Sequence, residues 1–243
     1  MGANHPLARR AAVCLLLGAA AAAFGAAPPQ TRQLPRPPAQ KKPKVNLFSP
    51  VDLGLLEAPD RAQWQKPEQI MDALGIADGS IVADVGAAGG WFTIRLAHRV
   101  GPNGVVYAED IQAQMIESIK RRMQRENLLN VTPVLGAVHD AHLPYGLDAV
   151  LIDDVYPEME DPVTLLRNVA NALKPQGRLG VVDWSPGGGG PGPALGDRVD
   201  PQTVISAAAA AGLQLTSREV LPFQFLLVFR KQPTREVTPS PSV

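Results

Sequence analysis

The sequence predicts a doubly wound α/β fold built on a mostly parallel seven-stranded sheet. Three observations carry that expectation. Short apolar runs rich in β-branched residues alternate with amphipathic stretches of helical period between residues 67 and 211. The first such run leads straight into a helical stretch through a cluster of small residues, VADVGAAGGWFT, at 82–93. The last two runs, 213–221 and 223–230, are separated by little more than Pro222. So short a connection permits an antiparallel hairpin and leaves no room for a crossover helix.

Each element has its own signal. Pro67 opens a helix whose Ile70, Met71 and Leu74 share one face, and Gly75 stops it. Residues 80–84 read as a buried strand and 91–100 as a helix, closed by the GPNG turn at 101–104. A second strand covers 104–110, and a long amphipathic helix runs from Gln112 to about Asn127. Within that helix, KRRMQR at 120–125 reads as a solvated face. The third and fourth strands fall at 131–135 and 148–153. A helix over 162–173 ends near KPQG at 174–177, and the fifth strand follows at 178–183. A Gly/Pro-rich loop, SPGGGGPGP at 185–193, precedes a helix over 201–211 and then the hairpin. No internal repeat is visible.

The two ends of the 243-residue chain read differently from its middle. Arg9 and Arg10 precede an uncharged apolar run at 11–27, and small residues then lead to Pro28, the pattern of a secretory signal peptide at 1–27. Export to the periplasm or exterior is the expectation; a membrane anchor over 11–27 is the alternative if that segment is retained. Residues 28–58 begin rich in Pro and basic side chains and read as a linker. The domain is expected at 59–231 and a disordered tail at 232–243. Lys and Arg together number 23, as do Asp and Glu, so no excess positive charge favours phosphate neutralisation, and no nucleic-acid partner is expected. The single cysteine, Cys14, lies in the apolar leader, which leaves the remainder without a disulfide, a thiolate nucleophile or a cysteine-based metal site.

Ligands of open α/β sheets bind at the carboxyl ends of the strands, where the strand order reverses. Gly86, Gly89 and Gly90 let the backbone approach a ligand there without a Cβ in the way. Asp110 ends the second strand about 20 residues later, where a carboxylate accepts ribose hydroxyls. Asp84, just before the glycines, is a poor neighbour for a pyrophosphate and a good one for an ammonium or sulfonium group. Ribose together with positive charge points to S-adenosylmethionine as cofactor and away from NAD.

These segments resemble the class I S-adenosylmethionine-dependent methyltransferases, whose fold is Rossmann-like. The resemblance spans 60–230: the glycine-loop segment at 82–93, VYAEDIQAQMI at 106–116, LIDDVYPEM at 151–159 and ALKPQGRLGVVD at 172–183. A bacterial group within that family is the best match, through DRAQWQKPE at 60–68, RVDP at 198–201 and FQFLLVF at 223–229. The resemblance implies that Asp84, Gly86, Ala87, Ala88 and Gly90 line the methionine part of the cofactor. It implies Asp110 on the ribose, Ile111 on the adenine and Asp140 on the adenine amino group. Asp153 and Asp154 would then lie beside the methyl-transfer position, with Asp154 and Tyr156 as the acid–base candidates and Glu158 behind them.

The sequence also departs from that family. Ala88 stands where the middle glycine of Gly-x-Gly-x-Gly is usual, and Pro157 where His is frequent. Trp91 reads as a packing residue, and His139 and His142 as loop residues with no third partner, so no metal is expected. A ribosomal RNA ribose methyltransferase is disfavoured, because Asp183 stands where its lysine would be needed. The acceptor is therefore expected to be a small molecule. A non-catalytic, exported binding protein on a degenerate methyltransferase fold is the alternative.

Overall fold

Proline and aspartate set the helix starts. The computed structural model describes residues 47–233. The leader expected at 1–27, most of the linker and the end of the tail lie outside them. Asp161 caps α5 (Pro162–Ala172) by accepting from the Thr164 amide at 3.0 Å, and Asp200 caps α6 (Pro201–Ala210) through the Gln202 amide at 2.7 Å. Each cap is followed by a proline whose missing N–H costs the first turn nothing. In the WQKP segment, Lys66 takes a left-handed φ of 56° and divides α1 (Arg61–Gln65) from α2 (Pro67–Ala73). Ahead of them, residues 50–57, at the end of the stretch expected as linker, wind into a 3-10 helix.

The strands are β1 (Ile81–Val85), β2 (Val105–Asp110), β3 (Val131–Leu135), β4 (Leu147–Asp153), β5 (Leu173–Trp184), β6 (Leu213–Val220) and β7 (Gln224–Lys231). They form one seven-stranded sheet in the order β3-β2-β1-β4-β5-β7-β6. The pairs from β3 to β5 are parallel, and β7 is antiparallel to both β5 and β6. The order runs outward to β3 and then resumes from β1 at β4, so the switch point is the β1–β4 boundary. The expected doubly wound sheet with its C-terminal hairpin is what the chain adopts.

Helices cover both faces of the sheet. On one, α2, α3 (Trp91–Val100) and α4 (Ala113–Glu126) bury Ile70, Leu96 and Ile119 against Val82 and Val106. On the other, α5 and α6 bury Leu166, Val169 and Val204 against Leu179 and Leu227. The amphipathic α4 turns Met115, Ile116 and Ile119 inward and leaves Lys120, Arg121 and Arg125 on the expected solvated face. Arg122 of the same basic stretch instead turns in to pair with Glu57 and donates to the Gly89 carbonyl at 3.0 Å. One boundary differs from the expectation. The KPQG segment does not end α5 as a free turn, because β5 already begins at Leu173. Leu147 pairs with Leu173 and Ala149 with Arg178, so the extra residues bulge out of the ladder. Among the described residues no helix is long and apolar enough to cross a membrane.

Candidate functional site

The glycine turn between β1 and α3 owes its shape to backbone angles that side chains resist. Gly86 has φ 72° and Gly90 φ 82°. A Cβ at Gly86 would come within 2.4 Å of Val155 Cγ2, so the chain after β4 lies directly against the turn. Ala88 also adopts a left-handed φ of 48°, the conformation a glycine would take freely. Its amide donates to Asp110 Oδ2 at 3.0 Å, and the Ala87 amide donates to the Glu109 carbonyl at 2.8 Å. The departure from the glycine pattern therefore leaves the turn intact, at the cost of local strain.

Asp110 binds both sides of the crevice. Besides Ala88, it accepts from the Gln112 amide at 2.8 Å. The carboxylate is buried and oriented, and each oxygen retains a lone pair for a further donor. Ile111 follows it, half-buried, and Asp140 lies exposed after β3, its Oδ1 accepting from the His142 amide at 2.9 Å. Asp84, at the end of β1, accepts from Thr93 Oγ1 at 2.7 Å, which ties the strand to the first turn of α3. The strand that ends in Asp110 also brings in Glu109, a buried carboxyl that accepts from the Gly86 amide at 3.3 Å.

Carboxyl groups gather at these strand ends, and burial raises their pKa values. It pushes Asp84 to about 6, Glu109 to about 8, Asp153 and Glu158 to about 7, and Asp183 to about 8. Asp110 and Asp154 move in the same direction for the same reason. Arg61 is the countercharge of Asp153, donating to its Oδ2 at 2.9 Å while Gln65 donates to Oδ1 at 2.6 Å. So acidic a crevice suits a ligand of positive charge, which would lower every one of these values. A bound sulfonium and ammonium beside Asp84, with ribose hydroxyls on Asp110, fits the residues present. A cavity of about 370 Å³ between residues 50–57 and α4 meets the turn at Gly89. Its lining includes Arg121, Arg122 and Arg125 and none of these carboxylates, so it is not the cationic site.

The structure separates the two acid–base candidates. Tyr156 is buried in the second core cluster, and its hydroxyl points to the Thr203 carbonyl, 3.4 Å away. Asp154 lies just beyond β4 in a left-handed conformation, φ 57°, so it does not follow the alternation that would set it opposite Asp153. Asp153, expected at the cofactor, has both oxygens engaged by α1 and acts as the anchor that docks α1 on the sheet. Trp91 packs edge-on against Phe92 with centroids 5.0 Å apart and has the Arg61 and Arg95 guanidiniums over its ring at 4.2 and 3.4 Å. His139 and His142 lie in the loop after β3, and no metal-binding cluster occurs among the described residues.

Several contributors were not singled out from the sequence. Arg61 and Gln65 lie inside the lead-in motif, but only folding shows that they meet Asp153. Phe48 and Leu53 come from the stretch expected as linker. The Phe48 carbonyl accepts from Gln112 Nε2 at 3.0 Å, and Leu53 Cδ2 would lie 3.2 Å from a Cβ on Gly89. Arg198, in the RVDP motif, donates to the carbonyls of Ser185, Gly189 and Pro193 and so fastens the Gly/Pro-rich loop.

Comparison with known proteins agrees with this geometry. The profile of a family described as a methyltransferase domain matches residues 76–204, just over half of the chain. The ubiquinone/menaquinone biosynthesis C-methyltransferase UbiE of Pasteurella multocida is 32% identical over 123 residues, 47% of this chain and 44% of that protein. The demethylmenaquinone methyltransferase of Lactobacillus johnsonii is 29% identical over 126 residues, 50% of each chain. The chain thus spans about half the length of the curated relatives it matches. A SAM-dependent methyltransferase from Aquifex aeolicus superposes with a TM-score of 0.71 at 25% identity, over 75% of this chain and 98% of that one.

Proposed function

The chain belongs to the methyltransferase-domain family, class I and S-adenosylmethionine-dependent, and from that premise we propose that it transfers a methyl group to a small-molecule acceptor. The observation that carries the reading is the pairing of the glycine turn with Asp110, whose carboxylate holds both the Ala88 and the Gln112 amides at the carboxyl end of β2. S-adenosylmethionine supplies an electrophilic methyl group on a sulfonium that is already a good leaving group. Asp110 accepts hydrogen bonds from the ribose hydroxyls, with Ile111 against the adenine and Asp140 near its amino group. Asp84 stabilises the cationic methionine end together with the turn at Gly86, Ala87, Ala88 and Gly90. Displacement at a methyl carbon asks chiefly for alignment and exclusion of water, which the buried strand ends favour. Asp154 is the group we assign to receive a proton from the acceptor, since it lies just beyond the carboxyl end of β4 and burial raises its pKa. Tyr156 packs behind it.

A non-catalytic binding protein on a degenerate fold is not supported. That reading rests on Ala88, Pro157 and the expected export signal together, and Ala88 keeps the left-handed turn. The names of the curated relatives refer to quinone methylation, which favours a small cyclic acceptor over a macromolecule.

Calorimetric titration of the full chain with S-adenosylmethionine and S-adenosylhomocysteine tests the reading. One site of micromolar affinity is expected, weakened at least tenfold in Asp110→Asn. Loss of one charge-assisted hydrogen bond, worth roughly 1.5–3 kcal/mol, sets that scale. Absence of binding up to millimolar ligand would overturn it.

A further inference from the structure

We propose that the acceptor binds at the carboxyl end of β5 beside β7, against Trp64, Trp184, Phe223 and Gln224, and that it is a flat, uncharged ring carrying hydrogen-bond-accepting oxygen. The role of this pocket in catalysis rests on the methyltransferase reading, whereas its binding chemistry does not.

Buried polar atoms without partners locate the pocket. Gln224 is 1% exposed, yet neither its amide nitrogen nor its amide oxygen makes a hydrogen bond. The indole nitrogen of Trp64 is buried and unpaired as well, whereas that of Trp184 is turned to the Asp154 carboxylate. Folded proteins pair nearly all such groups, so several together mark a place where something else supplies the partners. They do lie together. Trp184 and Gln224 are directly opposite each other in the β5–β7 ladder and therefore share a face. The Trp64 ring centroid is 5.2 Å from that of Trp184 and 6.4 Å from that of Phe223.

The chemistry of the free groups selects the ligand. The Trp64 indole N–H and the two amide hydrogens of Gln224 outnumber one amide oxygen, so the ligand must bring oxygen lone pairs. Aromatic walls on α1, β5 and the β6–β7 turn select a flat body. Asp154 stands beside this pocket, close enough to Trp184 and Arg198 to be influenced by both. The neighbouring Asp154 carboxylate disfavours a carboxylate or phosphate and leaves a neutral carbonyl or phenol.

The Gly/Pro-rich loop covers these walls. A Cβ at Gly192 would fall 2.2 Å from the Trp184 ring, and one at Gly190 would fall 2.5 Å from the Phe223 ring. Glycine is therefore required for the loop backbone to lie flat on both rings. The three hydrogen bonds of Arg198 hold it there, and its guanidinium lies 5.4 Å from the Trp184 ring centroid. A loop held by these bonds and by the Ser185 amide on the Phe223 carbonyl, 3.0 Å, is a cover that can open for a ligand and close over it.

Equilibrium dialysis of the full chain against coumarin, naphthalene and 2-naphthoate tests the proposal, with S-adenosylhomocysteine titrated in parallel. Coumarin has the flat body and a neutral carbonyl, naphthalene lacks the oxygen, and 2-naphthoate adds a negative charge. Coumarin is expected to bind at least tenfold more tightly than either of the others. Gln224→Leu, which keeps the bulk and removes the unpaired amide, and Trp64→Leu, at a half-buried wall, are each expected to weaken coumarin at least fivefold without changing S-adenosylhomocysteine affinity. Equal binding of the three probes, no retention of coumarin at 1 mM, or wild-type affinity in both variants would overturn the pocket. Failure of S-adenosylhomocysteine to bind the wild-type chain would overturn the methyltransferase reading instead, and a Gln224-dependent coumarin site would stand without it.

Discussion

Gly86→Ala puts the packing of the cofactor turn against its backbone strain. The added methyl meets two penalties. At φ 72° a residue with a Cβ carries about 1–2 kcal/mol of left-handed strain. The methyl also falls 2.4 Å from Val155 Cγ2 and 3.0 Å from Cγ1, an overlap that forces neighbouring atoms apart at roughly 1–3 kcal/mol. The sum is about 2–5 kcal/mol, and at roughly 2–4 °C per kcal/mol for a domain of this size the midpoint falls by about 4–20 °C. The two parts can be separated because Val155 lies on the chain after β4 and supplies only the second. In the double variant Gly86→Ala/Val155→Ala the overlap is gone and the strain remains. Thermal and urea unfolding of the four proteins in the cycle give the coupling between the two sites, expected at about 1–3 kcal/mol of rescue. S-adenosylhomocysteine titration of the same proteins reports whether the turn recovers its binding shape. A single variant within about 0.5 kcal/mol of wild type, or a cycle with no coupling, would refute the close approach of Val155 to the turn.

Ala88→Gly is expected to act in the opposite direction. Relief of about 1–2 kcal/mol of strain outweighs a glycine's extra chain entropy of roughly 0.5–1 kcal/mol, so the unfolding midpoint rises by up to about 6 °C with cofactor affinity retained. A fall in midpoint would contradict the left-handed angle at Ala88. The raised carboxyls give a pH dependence whose sign is fixed. Glu109 and Asp183 reach about 8 in the folded chain and titrate near 4 when unfolded, so the folded state holds more protons between those values. The stability they contribute is complete below about pH 4 and is lost as pH rises through about 8. Unfolding midpoints of Glu109→Gln are expected to decline less between pH 5.5 and 8.5 than those of wild type, and an identical slope would count against a buried, protonated Glu109. Arg61→Met leaves Asp153 buried beside Gln65 without its countercharge, which costs roughly 3–5 kcal/mol. Adding Asp153→Asn is expected to restore much of that, as read by urea unfolding; no recovery would show that Arg61 matters through other contacts.

Where sequence reasoning succeeded, the signal was local. Helix starts at Pro67, Pro162 and Pro201, the helix at 91–100 and the hairpin after Leu213 follow from spacing, proline placement and connection length. Asp84 and Asp110 were legible for a related reason: a residue at the end of a strand beside a glycine turn has its position set by a few neighbouring residues. The KPQG segment was misread because a helix-ending turn and a bulge share one composition, and only the pairing of Leu147 and Ala149 across the sheet decides between them.

The sequence by itself determined the order of strands and helices, the switch from crossover to hairpin, and the glycine turn with its two aspartates. Only the tertiary structure decided what long-range contact creates. It spent Asp153 on Arg61 and Gln65, turned Tyr156 toward Thr203, and carried Leu53 onto the glycine turn. It also brought Trp64, Trp184 and Gln224 to one place from three separate segments. Propensity and periodicity act over a few residues, whereas burial, pKa and unpaired polar groups belong to surfaces that exist only once distant segments have packed.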